Sequence, residues 1–101
     1  MVEALGSEID SLISGNKVLV FSKSWCPFAS QAKQLLQSKG ITMKVVELDQ
    51  VANGDQMQGV LQQKTGQRTV PSIFINGEHI GGNSDLQSLN SSGGLEAKIG
   101  A

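Results

Sequence analysis

Val18-Leu19-Val20-Phe21 is an unbroken apolar run between Lys17 and Ser22-Lys23-Ser24. It is too short for a helix and lacks the alternation of a half-solvated strand. Such a run reads as a strand buried on both faces, so other elements must cover it on either side. The flanking segments can supply them. Glu3–Ser14 carries Leu5, Ile9, Leu12 and Ile13 at helical spacing, and Gly15-Asn16 ends it. Pro27 opens a second helix that runs to about Lys39, with Ala32, Leu35 and Leu36 inward and Gly40 closing it. Met43–Leu48 reads as a second strand, Asp49–Gly54 as a polar connection, and Asp55–Thr65 as a helix stopped by Gly66. Ser72–Ile75 is a third strand. Asn76-Gly77 is the strongest short hairpin signal, so Glu78–Ile80 returns antiparallel beside it. After Gly81-Gly82, Ser84 or Asp85 caps a helix with Leu86 and Leu89, and Leu95 and Ile99 suit a short terminal helix. The order α-β-α-β-α-β-β-α predicts an α/β fold, a four-stranded mixed sheet flanked by helices on both faces.

Composition removes several classes of function. A chain of 101 residues holds one domain, residues 1–101, and 39% hydrophobic against 17% charged residues is enough for a packed core. Eight basic and nine acidic residues, a formal net charge of −1, create no field for nucleic acid. No apolar run approaches the length of a membrane span. Met1-Val2-Glu3-Ala4-Leu5 lacks the basic-then-apolar pattern of a secretory signal. A cytoplasmic location is expected, or an organelle if a transit peptide has been removed. One cysteine closes no intramolecular disulfide, which fits a reducing compartment, and one cysteine with one histidine builds no closed zinc site. No metal is expected, and the chain is expected to be a monomer.

A lone cysteine is either buried filler or a reactive thiol, and its neighbours decide between them. Cys26 follows the apolar strand and directly precedes Pro27, a residue pre-organised for the first helical position. The sulfur is thereby placed at a helix N-terminus, where unpaired N–H groups and the dipole favour a thiolate. Lys23, three residues earlier, adds positive charge. These features point to a nucleophile.

Two distant segments carry further chemistry. In Thr69-Val70-Pro71 the proline pushes Val70 towards an extended conformation at a strand entrance. On residue statistics a trans bond is favoured; a cis bond would present the Val70 N–H and C=O to an extended peptide. In Gly81-Gly82-Asn83-Ser84-Asp85 two glycines allow close backbone approach. The following helix start offers N–H groups to a carboxylate, and Asp85 offers an acceptor to an ammonium group. The same residues also suit a plain helix cap.

Taken together, Lys23-Ser24-Trp25-Cys26-Pro27-Phe28, Thr69-Val70-Pro71 and Gly81-Gly82-Asn83-Ser84-Asp85 resemble the glutaredoxin family of the thioredoxin fold. Gln62, Thr65, Gly66, Gln67 and Arg68 also fit the family's run ahead of Thr-Val-Pro. The likeness covers essentially the whole chain in order. It implies a glutathione-dependent thiol–disulfide oxidoreductase with Cys26 catalytic and glutathione as co-substrate. It further implies a glutathione site made of Lys23, Cys26, Phe28, Gln58, Arg68, Thr69, Val70, a cis Pro71, Gly82, Asn83, Ser84 and Asp85. Phe28 stands where tyrosine is common, which removes a hydroxyl and keeps an apolar wall. Ala29 stands where dithiol members carry their second, resolving cysteine. The implied chemistry is therefore reduction of glutathione mixed disulfides, on glutathionylated proteins or small molecules, by a one-thiol route; direct dithiol reduction of protein disulfides is lost.

Two rivals differ in class. Two chains could bridge a [2Fe–2S] cluster through Cys26 and two glutathiones, but single-cysteine members that do so usually carry glycine where Pro27 stands. A thioredoxin-like protein indifferent to glutathione would need no Gly81–Asp85 segment. The remaining residues take bland roles: His79 as an exposed strand residue, Trp25 as an edge aromatic, Met43 and Met57 as core or near-core residues. Arg68 is a carboxylate partner or a solvated charge, and the glutamines at 31–37 and 56–67 need only solvent.

Overall fold

The computed structural model describes residues 2–100. Along the chain they form α1 (Val2–Gly15), β1 (Val18–Ser22), α2 (Pro27–Ser38), β2 (Lys44–Glu47), α3 (Gly54–Thr65), β3 (Ser72–Ile75), β4 (Glu78–Gly81), α4 (Asn83–Ser91) and α5 (Gly94–Ile99). Every residue of β1 is buried, as its unbroken apolar run requires. It lies inside a four-stranded sheet of order β2-β1-β3-β4. β1 pairs parallel with β2 and antiparallel with β3, and β3 pairs antiparallel with β4.

Alternate residues of β1 feed two separate cores, which follows from the two-residue period of a strand. Leu19 and Phe21 pack with Ile9 of α1 and with Met57, Val60 and Leu61 of α3. Val18 and Val20 pack with Ala32 and Leu36 of α2, Leu86 of α4 and Leu95 of α5. The result is three layers, with α1 and α3 on one face of the sheet and α2, α4 and α5 on the other. Among the described residues, no helix is long and apolar enough to cross a membrane.

The turn chemistry is explicit. Asn76 and Gly77 both take positive φ, 52° and 82°, the backbone of a two-residue hairpin turn. Gly66 ends α3 in the left-handed conformation, and its N–H donates to the Gln62 carbonyl. Three expectations need correcting. Neither Ser84 nor Asp85 is the N-cap of α4; Gly82 holds that position in extended conformation, and the helix begins at Asn83. β4 runs one residue further than expected, to Gly81, because a bulge at the end of its pairing with β3 shifts the register there. His79 is half-buried, because Phe74 lies against its ring at 5.1 Å and its Nε2 lies 3.3 Å from the buried Ser72 hydroxyl.

Candidate active site

Cys26 is the N-cap of α2, with extended backbone angles of φ −84° and ψ 119° and Pro27 at the first helical position. Its N–H donates to the Lys23 carbonyl at 3.0 Å, closing a tight turn, and its carbonyl accepts the first helical bond from Ser30 N–H at 3.0 Å. The side chain is 7% exposed, and its Sγ lies 3.9 Å from the Val70 carbonyl oxygen. The sulfur thus sits between the open end of a helix and an extended loop, with the first-turn N–H groups of α2 nearby.

That loop holds a cis Val70–Pro71 bond, in place of the trans bond that residue statistics favour. Gln67 braces it: its side-chain amide donates to Thr69 O at 2.9 Å and to Pro71 O at 2.8 Å, spanning Val70. Gln67 is itself anchored, its N–H donating to Thr65 Oγ1 at 3.1 Å while that hydroxyl donates to Leu61 O at 2.8 Å. Solvation alone therefore does not account for the glutamines of this region. Gln67 is a residue that periodicity misses, since it lies past the helix end and its partners are carbonyls brought near only by the bent loop.

The third wall is the start of α4. Gly81 has φ +124°, and a Cβ there would come within 2.2 Å of Asp85 Oδ2. Asp85 turns back to accept the Gly82 N–H at 3.0 Å, which is half of a capping box. Both ends of the Asn83 side chain are engaged within the protein, its Nδ2 donating to Gln31 Oε1 at 2.9 Å and its Oδ1 accepting from Gln87 at 3.2 Å. Ser84 is exposed.

Phe28, Thr69–Pro71 and Gly82–Asp85 line one open cleft of about 520 Å³, with Gln67 on its wall. Grooves of about 520 and 630 Å³ at the opposite end of the sheet, around Asn16 and Lys17, hold no cysteine. Four of the expected glutathione residues stand outside the lining: Cys26, beside the Val70 wall, and Lys23, Gln58 and Arg68. Lys23 is half-buried, with its Nζ 5.7 Å from the centre of the Trp25 ring, a cation–π placement. Gln58 donates to the Arg68 carbonyl at 2.6 Å, and Arg68 Nη1 donates to Gln62 Oε1 at 3.0 Å. Among the described residues, Arg68 therefore pairs with a glutamine and not with a carboxylate. Trp25 and Phe28 are 68% and 61% exposed, so the rim around Cys26 is apolar on both sides.

Two titratable groups near the site are shifted. The Ser24 hydroxyl and N–H, both donating to Asp49, hold that carboxyl below its ordinary range, with a smaller contribution from Lys23. Burial pushes His79 below its ordinary value, and the nearby Asp85 partly opposes this.

Comparison with known proteins agrees with this geometry. A sequence profile of the glutaredoxin family matches residues 18–80. The chain is 50% identical over 91 residues to glutaredoxin-2 of Schizosaccharomyces pombe, covering 90% of this chain and 83% of that protein. It is 47% identical over 94 residues to the chloroplastic monothiol glutaredoxin-S12 of Arabidopsis thaliana, covering 92% of this chain but only 52% of that longer protein. The crystal structure of a buckwheat glutaredoxin–glutathione complex superposes with a TM-score of 0.95 at 37% identity, covering 97% of this chain and 89% of that one. The fold is thus shared with solved glutaredoxins, and the chain belongs to the glutaredoxin family of thioredoxin-fold oxidoreductases.

Proposed function

We propose that this chain reduces glutathione mixed disulfides through Cys26 alone. The observation that carries the reading is the position of Cys26 Sγ, at the start of α2 and 3.9 Å from Val70 O, beside a cleft walled by Thr69–Pro71 and Gly82–Asp85. The Val70 N–H and C=O suit an extended tripeptide laid along the loop. The first N–H groups of α4 suit its γ-glutamyl carboxylate, and Asp85 suits its ammonium. Lys23, Gln58 and Arg68 lie outside the cleft lining, and in this reading they turn towards the glycyl carboxylate when glutathione binds. That a buckwheat relative of the same fold is known in complex with glutathione supports the assignment.

The chemistry balances with one protein thiol. The Cys26 thiolate attacks the glutathionyl sulfur of the substrate, the Cys26–glutathione disulfide forms, and the substrate leaves as a thiolate that takes up a proton. A second glutathione thiolate attacks the glutathionyl sulfur of the adduct, and Cys26 leaves as thiolate with release of oxidised glutathione. Position 29 on α2 is alanine and Cys26 is the one cysteine of the sequence, so no second thiol of the chain competes for the adduct. Incubation with oxidised glutathione is expected to add one glutathione per chain by intact mass. Turnover of a small glutathionylated substrate should require glutathione and vanish in Cys26→Ser. No adduct, or undiminished turnover in that variant, rejects the reading.

A further inference from the structure

We propose that Asp49 is a positioning residue for Cys26: by holding Ser24, it fixes the turn that carries the thiol. The pairing of β1 with β2 runs through Ser22 opposite Glu47, and continues one step as Leu48 N–H donates to Ser22 O at 2.8 Å. Beyond that point the backbones part, and a side chain takes over. Asp49 Oδ1 accepts the Ser24 N–H at 3.0 Å, and Oδ2 accepts the Ser24 hydroxyl. Asp49 is itself held by a turn in which Gln50 N–H donates to Glu47 O at 2.9 Å.

Ser24 is the second residue of the turn closed by Cys26 N–H and Lys23 O at 3.0 Å. The turn is thus tied to β1 at its start, to α2 at its end and to Asp49 in between. Without the carboxylate, both Ser24 donors would turn to water and the segment from Lys23 to Trp25 would keep only its closing bond. Charge-assisted hydrogen bonds of this kind are stronger than neutral ones. The positive charge of Lys23 makes a smaller contribution to keeping the carboxylate ionised. Asp49 is not among the residues lining the cleft, and its side-chain hydrogen bonds go to Ser24.

This inference rests on Cys26 being the attacking thiol, and the test separates the two. Asp49→Ala, Asp49→Asn, Ser24→Ala and the Ser24→Ala/Asp49→Ala double variant are compared with the parent chain. The readouts are amide hydrogen exchange, thermal midpoint, and kcat and KM on a small glutathionylated substrate. In Asp49→Ala, exchange at the Ser24 and Cys26 amides is expected to rise about tenfold, while central β1 and β3 amides stay unchanged. Its kcat should fall about tenfold with KM little changed. Asp49→Asn, which keeps an oxygen for the Ser24 N–H, should lie between. The double variant should be no worse than Asp49→Ala, because the two residues share one interaction. Unchanged exchange at Ser24 and Cys26 overturns the proposal. So does a lowered thermal midpoint with kcat intact, or losses that simply add. Should Asp49→Ala fail to fold, Asp49→Asn and Ser24→Ala carry the same comparison. Faster local exchange in a chain that shows no glutathione turnover would uphold the positioning role and reject the proposed substrate instead.

Discussion

His79 shows how much of a residue's behaviour its burial decides. In the sequence it is a polar residue on an edge strand; in the fold it is tilted against Phe74 and within reach of the Ser72 hydroxyl. Burial lowers its pKa below the ordinary value near 6.5, and Asp85 only partly restores it. The sign follows by linkage. As pH falls below that ordinary value, the unfolded chain takes up the proton before the folded one, so stability present at higher pH is lost. The denaturation midpoint is expected to drop between about pH 7.5 and about pH 5, and His79→Gln should flatten that drop. Parallel pH profiles for the two proteins would refute this. Gln67 makes the complementary point: its role depends on two carbonyls of one loop, and only the folded loop brings both to its amide.

At the scale of elements, close approach explains positions that side-chain chemistry leaves blank. α3 starts at Gly54, where a Cβ would stand 1.8 Å from the Leu48 carbonyl oxygen. The obstacle is backbone, so a substitution there must push the start of α3 away from the end of β2. Gly54→Ala is expected to cost about 1–3 kcal/mol in urea unfolding, the range of other overpacked sites. A loss within about 0.5 kcal/mol, typical of open surface positions, would show that the helix start gives way freely. Leu48 is followed directly by Asp49, so the same contact borders the segment that holds Ser24. α2 shows a simpler logic. Pro27 at its start and Gly40 past its end, with φ +71°, are ordinary helix punctuation, and that punctuation places Cys26 at the N-cap.

For the whole molecule, the sheet separates two cores while one of its ends carries the candidate site. Phe21 is fully buried and meets Phe74 edge-on, with ring centres 6.0 Å apart and planes at 83°. Trp25, four residues later, is 68% exposed. Two aromatic truncations so close in sequence should therefore differ sharply. Phe21→Ala is expected to cost about 3–5 kcal/mol, and Trp25→Ala within about 0.5 kcal/mol, both read from denaturant midpoints. Similar losses would mean that the two-core description is wrong.

The element order, the mixed sheet and the candidate nucleophile were all legible in the sequence, because each rests on local physics. An apolar run of strand length, a proline at a helix start and an Asn-Gly turn have few folded solutions. The segments around Cys26, Val70 and Asp85 were legible as separate pieces for the same reason. What brings them together is sequence separation closed by the sheet: β1 delivers Cys26, β3 begins at the Pro71 loop, and β4 delivers Gly81. Only that closure decided that Asn83 meets Gln31 and that Asp49 reaches Ser24. Hydrogen bonds between residues far apart in the chain leave no periodic trace, since they depend on where the backbone finally runs and not on the neighbours of either partner.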